Sequence, residues 1–363
     1  MNIVGKITGI KYKVILSENL KTIDFNSFDI NEAPAACIVT DNKYSYAISK
    51  WVSPKRTRSY PFERVFNTLH ISKKITVIPI VKDEGARGDR DFIQWDTVSL
   101  MSLLDVFVIF AYYNKADKAE NKITNQQFDN KYVLQKIKEI EQYHSSALHW
   151  NINELKTNFH NILKKVVLSY AEIETKTKVP LHGIKGLQNF QDKIGKDVSL
   201  FMDFSRGKAK EAQSREFVTF QPKESLSTLS KAKVTITNYL GGQYFLTVDE
   251  ILISKEKISL IEGKHSVNTI LPSKGDIKDG LLKMILYCNL TEVTANENTI
   301  QSEAILCLTS SKLKGGITSA SSKNELSAFY TNNALSASQI LLIETVIAEA
   351  IQNNFIIKVQ YSK

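Results

Sequence analysis

Residues 244–265 read YFLTVDEILISKEKISLIEGKH, two apolar, β-branched runs on either side of a polar turn. This pattern predicts a β-hairpin. If residues 254–257 form its loop, Ile253 faces Ile258, and the same count places Asp249 opposite Glu262. Opposed Cβ atoms in a hairpin lie about 5 Å apart, so the two carboxylates would be close enough to share one divalent cation.

Strand alternation places one set of side chains on a common face of this hairpin. The set consists of Asp249, Ile251, Ile253, Ile258, Leu260, Glu262 and Lys264. Two neighbouring acids repel each other and are costly to desolvate, unless a metal or a cation such as Lys264 compensates. The pattern favours a functional site, and the structural alternative is a charged hairpin end in which Lys264 forms a salt bridge with either acid.

The triplet acid-x-Lys also occurs elsewhere, for example at Glu154 and Glu174, but the copy at Glu262 combines a strand, a glycine and an opposing acid. With this context the hairpin resembles the PD-(D/E)xK nuclease superfamily, in particular type II restriction endonucleases. Their motif is an Asp on one strand and Glu-x-Lys on the next. Here Val248-Asp249 stands where that motif has Pro-Asp.

The resemblance implies a mixed α/β (α+β) fold, a restriction-endonuclease-like core in which helices flank a central mixed sheet. The spacing of residues 276–290 predicts a helix, and residues 304–308 read as a buried strand, which fits such a core. The resemblance further implies that Asp249 and Glu262 bind Mg²⁺ together with a backbone carbonyl at Gly263. Lys264 would then assist the attacking water.

By the same resemblance, the expected activity is sequence-specific cleavage of double-stranded DNA to 5′-phosphate and 3′-hydroxyl ends, as in restriction-modification. Because cutting both strands usually takes two active sites, we expect a homodimer. The alternative is a non-catalytic DNA-binding or accessory protein with a decayed nuclease core. A nuclease acting on RNA or branched DNA is a further alternative.

The composition bounds the class of partner. A formal net charge of +9 over 363 residues favours a polyanionic partner, although a merely basic soluble protein is the simpler alternative.

The three cysteines lie far apart and look like buried thiols. The start resembles no secretory signal, and the longest apolar run is too short to span a bilayer, so we expect a cytoplasmic protein. The sequence lacks a Walker-type loop, which argues against a nucleotide cofactor.

Composition shifts divide the chain into three parts. Residues 1–114 predict an amino-terminal α/β domain that contributes DNA recognition. Residues 115–178 predict a linker, polar and exposed up to residue 130, followed by a helical bridge. Residues 179–363 contain the predicted nuclease core, preceded by a basic segment.

Three basic clusters are candidates for DNA contact, and solvated surface is the alternative for each. The first surrounds Tyr60 and Phe62, the second lies in the loop 82–91, and the third lies in the basic segment 179–215. The candidates are Lys55, Arg56, Arg58 and Arg64 in the first, Arg87 and Arg90 in the second, and Arg206, Lys208 and Lys210 in the third.

A rival acidic cluster lies near the amino terminus. Its members are Glu63, Asp83, Glu84, Asp89, Asp91 and Asp96. Because the following strand carries no acid-x-Lys triplet, a recognition or folding loop is the preferred reading over a second active centre. On the helix after the motif, ordinary helix surface is the favoured reading for Lys278 and Lys283, and contact with phosphate is the alternative.

Overall fold

The structure is a computed structural model that describes residues 2–41, 43–50, 62–194, 199–203, 206–207, 210, 214, 232–238, 243–254 and 257–363. The strands are β1 (Asn2–Ile7), β2 (Thr22–Asp24), β3 (Ala36–Thr40), β4 (Ser45–Lys50), β5 (Lys74–Pro79), β6 (Val81–Asp83), β7 (Arg90–Phe92), β8 (Val106–Ala111), β9 (Tyr113–Lys118), β10 (Ile123–Phe128), β11 (Ala232–Asn238), β12 (Gln243–Val248), β13 (Glu250–Ile253), β14 (Lys257–Ser266), β15 (Thr291–Ala295), β16 (Asn298–Thr299), β17 (Gln301–Ser310), β18 (Gly316–Thr318) and β19 (Ile356–Tyr361). The helices are α1 (Phe62–Phe66), α2 (Trp95–Leu103), α3 (Asn130–Glu141), α4 (Ala147–Thr157), α5 (Phe159–Thr177), α6 (Ile184–Ile194), α7 (Lys274–Tyr287), α8 (Lys323–Asn332) and α9 (Ala337–Asn353).

The chain folds into two compact units. Residues 1–18 and 210–363 form one, called here the C-terminal unit, and residues 19–209 form the other, the inserted unit. The chain therefore starts in the C-terminal unit, leaves it after Glu18 and returns to it at Lys210. Both units combine helices with sheets, so the mixed α/β class is confirmed.

The C-terminal unit contains two sheets. In the first, with strand order β12-β11-β1-β15-β16, β1 lies between a parallel neighbour, β11, and an antiparallel one, β15. In the second, with order β13-β14-β17-β19-β18, the three inner strands are parallel and both edge strands are antiparallel to their neighbours. Parallel neighbours require crossover connections, and α7 lies in the connection between β14 and β17.

Helix caps fix the starts of the helices around this second sheet. The N-cap of α7 is Ser273, whose hydroxyl accepts the N–H of Asp276, so Asp276 lies in the first turn. A capping box of Ser336 and Gln339 starts α9, and Asn354 ends it in the left-handed conformation with φ 58°. Buried apolar faces of α7 and α9 pack on the parallel strands.

The inserted unit is built on a sheet of order β2-β3-β4-β5-β8, whose strands β4, β5 and β8 are parallel. Every residue of β5 and β8 is buried, as expected for the interior of a covered parallel sheet. Helices α2 and α4 pack against β8, and α5 packs against β9. Trp95 and Trp150 lie in this core.

The predicted domain limits differ from these units. Residues 1–18 do not belong with residues 19–114, because β1 pairs with β11 and β15 of the C-terminal unit. The limits predicted at 114 and 178 fall inside the inserted unit. The prediction of an exposed linker after residue 114 is wrong. There β9 and β10 form a hairpin in which Tyr113, Ile123 and Phe128 are buried.

The cysteines are free thiols, as expected, with Cys37 and Cys307 buried and Cys288 partly exposed. Within the described ranges, no helix is both long enough and apolar enough to cross a membrane.

Candidate active site

The hairpin β13/β14 has the register that the sequence predicts. Ile253 pairs with Ile258, and the N–H of Ser254 donates to the carbonyl of Lys257 at 2.9 Å across the loop. The last pair of the ladder is Glu250 with Ile261, so Asp249 is next in line with Glu262. The predicted apolar face is incomplete at its tip, because Ile253 is 52% exposed.

Asp249 is the single residue between β12, an edge strand of the first sheet, and β13, an edge strand of the second. From this bend its side chain reaches β14, where Oδ2 accepts the N–H of Gly263 at 2.9 Å. Burial and the neighbouring Glu262 carboxylate raise the pKa of Asp249 to about 6. The two predicted acids, Asp249 and Glu262, are therefore close enough to interact electrostatically.

Glu262 is 1% exposed and lies between two lysines. Lys264 Nζ lies 3.0 Å from its Oε1, and Lys283 Nζ donates to its Oε2 at 2.7 Å. Burial raises the pKa of Glu262, but the two lysines lower it by more, and its pKa lies below the ordinary glutamate value. The buried Glu262 carboxylate therefore favours its ionised form, the form that binds a cation.

Lys283 also belongs to the site, although the sequence favoured an ordinary helix surface position for it. This reading is wrong, because its ammonium group also donates to the carbonyl of Thr247 at 3.3 Å and its side chain is only 19% exposed. Burial lowers the pKa of Lys283, but Glu262 and Asp249 raise it by more, above its usual range. Lys278 is not on the surface either, since it is 2% exposed and pairs with Glu18 at 2.5 Å.

Helix α7 approaches β14 and β17 closely at Gly280. A Cβ at this position would lie 2.6 Å from Cδ1 of Leu306 and 3.4 Å from Cε of Lys264. The missing side chain thus leaves room for the methylene stem of Lys264. Gly280, Lys283 and Tyr287 are spaced i, i+3 and i+7, which puts them on one helix face, and this spacing is the signal that could have identified Lys283.

Tyr287 lies one turn after Lys283 and is 2% exposed. Burial raises its pKa, and its hydroxyl interacts electrostatically with Lys283, Glu262 and Asp249. Among the described residues, this hydroxyl has no hydrogen-bond partner. The site therefore includes an unused donor beside the paired charges.

Several predicted DNA-contacting residues lie outside the described residues, namely Lys55, Arg56, Arg58 and Lys208. In the inserted unit, Arg64 donates to the carbonyl of Lys50 at 3.3 Å, Arg87 donates to Asn121 at 2.9 Å, and Arg206 pairs with Asp203 at 3.1 Å. In the C-terminal unit, Lys210 lies over the ring of Phe245.

Arg90 has a structural role. Its guanidinium donates to the carbonyl of His182 at 3.3 Å and lies over the ring of Phe92. The bond to His182 ties β7 to the segment that precedes α6.

Two acids of the rival cluster, Asp83 and Glu84, are also engaged in internal contacts. Asp83, 1% exposed, accepts the N–H of Gly85 at 2.8 Å and lies 2.9 Å from Nδ1 of His182. Glu84 pairs with Lys82 at 2.7 Å. Across the described part of the chain, no group of three or more His, Cys, Asp and Glu side chains is arranged to hold a metal. These contacts agree with a folding loop, the reading preferred from the sequence.

Two further acids that precede the hairpin in the sequence, Glu216 and Glu224, lie outside the described residues. The carboxylates brought together at the hairpin are thus Asp249 and Glu262, flanked by Lys264 and Lys283.

No family model matches the chain, and neither a curated protein nor a solved structure matches it.

Proposed function

We propose that this chain is a Mg²⁺-dependent endonuclease that cleaves double-stranded DNA at specific sequences, in the manner of type II restriction enzymes. The observation that carries the proposal is the Asp249–Gly263 hydrogen bond, which brings Asp249 to the strand that bears Glu262 and Lys264. Two carboxylates and a lysine on adjacent strands are the groups that the PD-(D/E)xK motif requires.

The surrounding fold supports the same proposal. The hairpin β13/β14 is followed by α7 and then by β17, which lies parallel to β14. Strand, crossover helix and parallel strand after the motif are what the resemblance implies for a restriction-endonuclease-like core. The net charge of +9 favours a polyanionic substrate.

The donor set fits Mg²⁺, because this ion is commonly held by one or two carboxylates while water and substrate phosphate complete its octahedron. Asp249 and Glu262 would hold it, with the backbone carbonyl at Gly263 as a further ligand. When bound, the ion would polarise the scissile phosphate and lower the pKa of a coordinated water.

The protein's own groups would supply the rest of the chemistry. Lys264, 22% exposed on its side chain, is placed to stabilise negative charge that develops on the phosphate. The buried position of Glu262 keeps its carboxylate out of bulk water, which strengthens its interaction with a cation. We infer cleavage to 5′-phosphate and 3′-hydroxyl ends by a homodimer that cuts both strands.

The second candidate is a DNA-binding or accessory protein without catalysis, in which the cluster is structural. The pairing of both Glu262 oxygens with lysines favours it, because such a cluster is already charge-balanced without a metal. In that case divalent cations would neither bind nor promote cleavage.

Plasmid DNA of diverse, unmethylated sequence, incubated with the protein and Mg²⁺ or with EDTA, separates the two candidates. Wild type is expected to cleave only with Mg²⁺, and Lys264→Ala to lose cleavage. Lys176→Ala is the matched control, since Lys176 ends the triplet Glu174-x-Lys176 and is 70% exposed. Undiminished cleavage by Lys264→Ala would refute the site, and no cleavage by wild type would favour the binding protein.

A further inference from the structure

Two lysines share one carboxylate in the site, and their contacts differ. Lys283 hydrogen-bonds to Oε2 of Glu262 at 2.7 Å and also to the carbonyl of Thr247 at 3.3 Å. Lys264 pairs with Oε1 at 3.0 Å from its position two residues further along the same strand. Lys283 is therefore anchored at two points, on β14 and on β12.

The helix that carries Lys283 is itself fixed. At Gly280 it approaches β17 so closely that a Cβ would lie 2.6 Å from Leu306. Four residues beyond Lys283, Tyr287 is buried. The Lys283 ammonium group has two acceptors and is held on a packed helix, so it loses little conformational freedom by staying with Glu262. Removing it would leave the buried charge of Glu262 uncompensated.

A divalent cation that binds Glu262 competes with the two lysines, because each carboxylate oxygen is already paired with an ammonium group whose positive charge repels the cation. Oε2 stays paired with the anchored Lys283, so Oε1 is the oxygen that can bind the cation. The ammonium displaced from Oε1 is that of Lys264, which would then be free to interact with an anionic phosphate.

We propose that Lys283 is a positioning residue, the permanent counter-ion that fixes the Glu262 carboxylate and offers Oε1 to the cation while Lys264 turns to the phosphate. This division of roles rests on the proposed nuclease function. Its first half, the dependence of Glu262 on Lys283, concerns the protein without metal or DNA and can be measured separately.

Thermal unfolding of single and double variants tests that first half. Removing one partner of a buried pair is strongly destabilising, so Lys283→Met is expected to lower Tm by about 6–15 °C. Glu262→Gln removes the charge that needs compensation, and the double variant Lys283→Met with Glu262→Gln should recover more than half of the loss. Lys283→Arg, which keeps the charge, should lose less than Lys283→Met, and Lys264→Met should also cost less.

Binding of Mn²⁺ alone, followed by calorimetry, tests the second half. Lys264→Met should bind Mn²⁺ at least as tightly as wild type, because a competing cation is removed from Oε1. Lys283→Met should bind it about 2- to 10-fold more weakly than Lys264→Met does, since each variant lacks one competing ammonium group but only Lys283→Met leaves a carboxylate that must be ordered on binding. Equal effects of the two substitutions on Mn²⁺ affinity would overturn the division of roles.

If the decrease in Tm caused by Lys283→Met is not relieved by adding Glu262→Gln, the proposal is refuted. It is also refuted if Lys283→Met and the double variant both fail to fold. If Lys283→Met fails to fold while the double variant folds, the proposal is supported. Wild type that cleaves no DNA would refute the nuclease function instead, and the unfolding experiment would still decide the role of Lys283.

Discussion

Oδ2 of Asp249 accepts the backbone N–H of Gly263 at 2.9 Å, a bond that joins the bend after β12 to the strand that carries Glu262. The bond uses one carboxylate oxygen and leaves the charge of Asp249 available. Because the acid has both a structural contact and a proposed chemical role, two substitutions can separate them.

Asp249→Asn is expected to fold with nearly wild-type stability, because the amide oxygen can still accept the Gly263 N–H. It should lose Mg²⁺-dependent cleavage by at least about 100-fold, since a neutral ligand is weak for a hard cation. Asp249→Ala should lose both activity and about 1–3 kcal/mol of stability. Urea unfolding and plasmid cleavage measure the two effects, and wild-type cleavage by Asp249→Asn would contradict the assignment.

Gly280→Ala places a methyl group 2.6 Å from Leu306 and 3.4 Å from Lys264, so α7 or these side chains must shift. We expect a loss of about 1–3 kcal/mol from overpacking, partly offset by helix propensity. Because the stem of Lys264 is displaced, cleavage should slow by about 10- to 100-fold.

Gly275→Ala is the matched control in the same helix, since its nearest contact would be Ser273 Oγ at an ordinary 3.8 Å. This substitution should be neutral or stabilise the protein by up to about 1 kcal/mol. Equal melting temperatures and rates for the two variants would show that the close approach at Gly280 is unimportant.

The segment after β1 is held by side chains from the ends of two helices. The side chain of Asn353 accepts the N–H of Lys13 at 2.7 Å and donates to its carbonyl at 2.9 Å. Asn289 makes the same pair of bonds with Lys11, at 2.8 and 3.2 Å. Residues 8–18, all of them described, contain no strand, and these bonds take the place of strand pairing there.

Asn353→Ala should therefore destabilise the C-terminal unit by about 1–3 kcal/mol, the cost of two lost hydrogen bonds. Asn324→Ala is the control, because Asn324 is an exposed residue in the first turn of α8. Chemical unfolding measures both. If the two variants unfold alike, the segment contributes little to the stability of the unit.

Glu349 predicts a pH dependence of stability. It is fully buried and accepts the N–H groups of Ile15 and Leu16 and the hydroxyl of Tyr12. Burial raises its pKa, and these hydrogen bonds lower it by less. A pKa raised on folding means that the folded protein binds the proton more tightly, so this stability is present at low pH and lost as pH rises through the raised pKa.

The free energy of unfolding of wild type minus that of Glu349→Gln should therefore decrease between pH 4.5 and pH 8. The glutamine keeps an acceptor for the backbone N–H groups and does not titrate. Urea unfolding at several pH values gives this difference, and an increase with pH would contradict the raised pKa.

The sequence predicted the local part of the site because strand alternation is local. The pairing of Ile253 with Ile258 followed from the position of the polar loop, and it placed Asp249 in line with Glu262. Lys283 was missed because its helix has a clear apolar face, and a lysine off that face reads as surface unless the fold brings a buried acid to it.

The domain limits failed for a non-local reason. The pairing of β1 with β11 joins residues more than 200 positions apart, and alternation within β1 shows only that it is a strand. The hairpin β9/β10 was read as a linker because most of its side chains are polar, with a few buried apolar ones holding it to the unit.

The proposed metal-binding role of Glu262 is tested by the single-turnover rate of plasmid cleavage by Glu262→Gln, with Glu174→Gln as the matched control from another acid-x-Lys triplet. Glu174 accepts the N–H of Leu181, a bond that glutamine can keep. We predict a loss of at least about 100-fold for Glu262→Gln and no change for Glu174→Gln. Cleavage by Glu262→Gln at the wild-type rate would contradict the account.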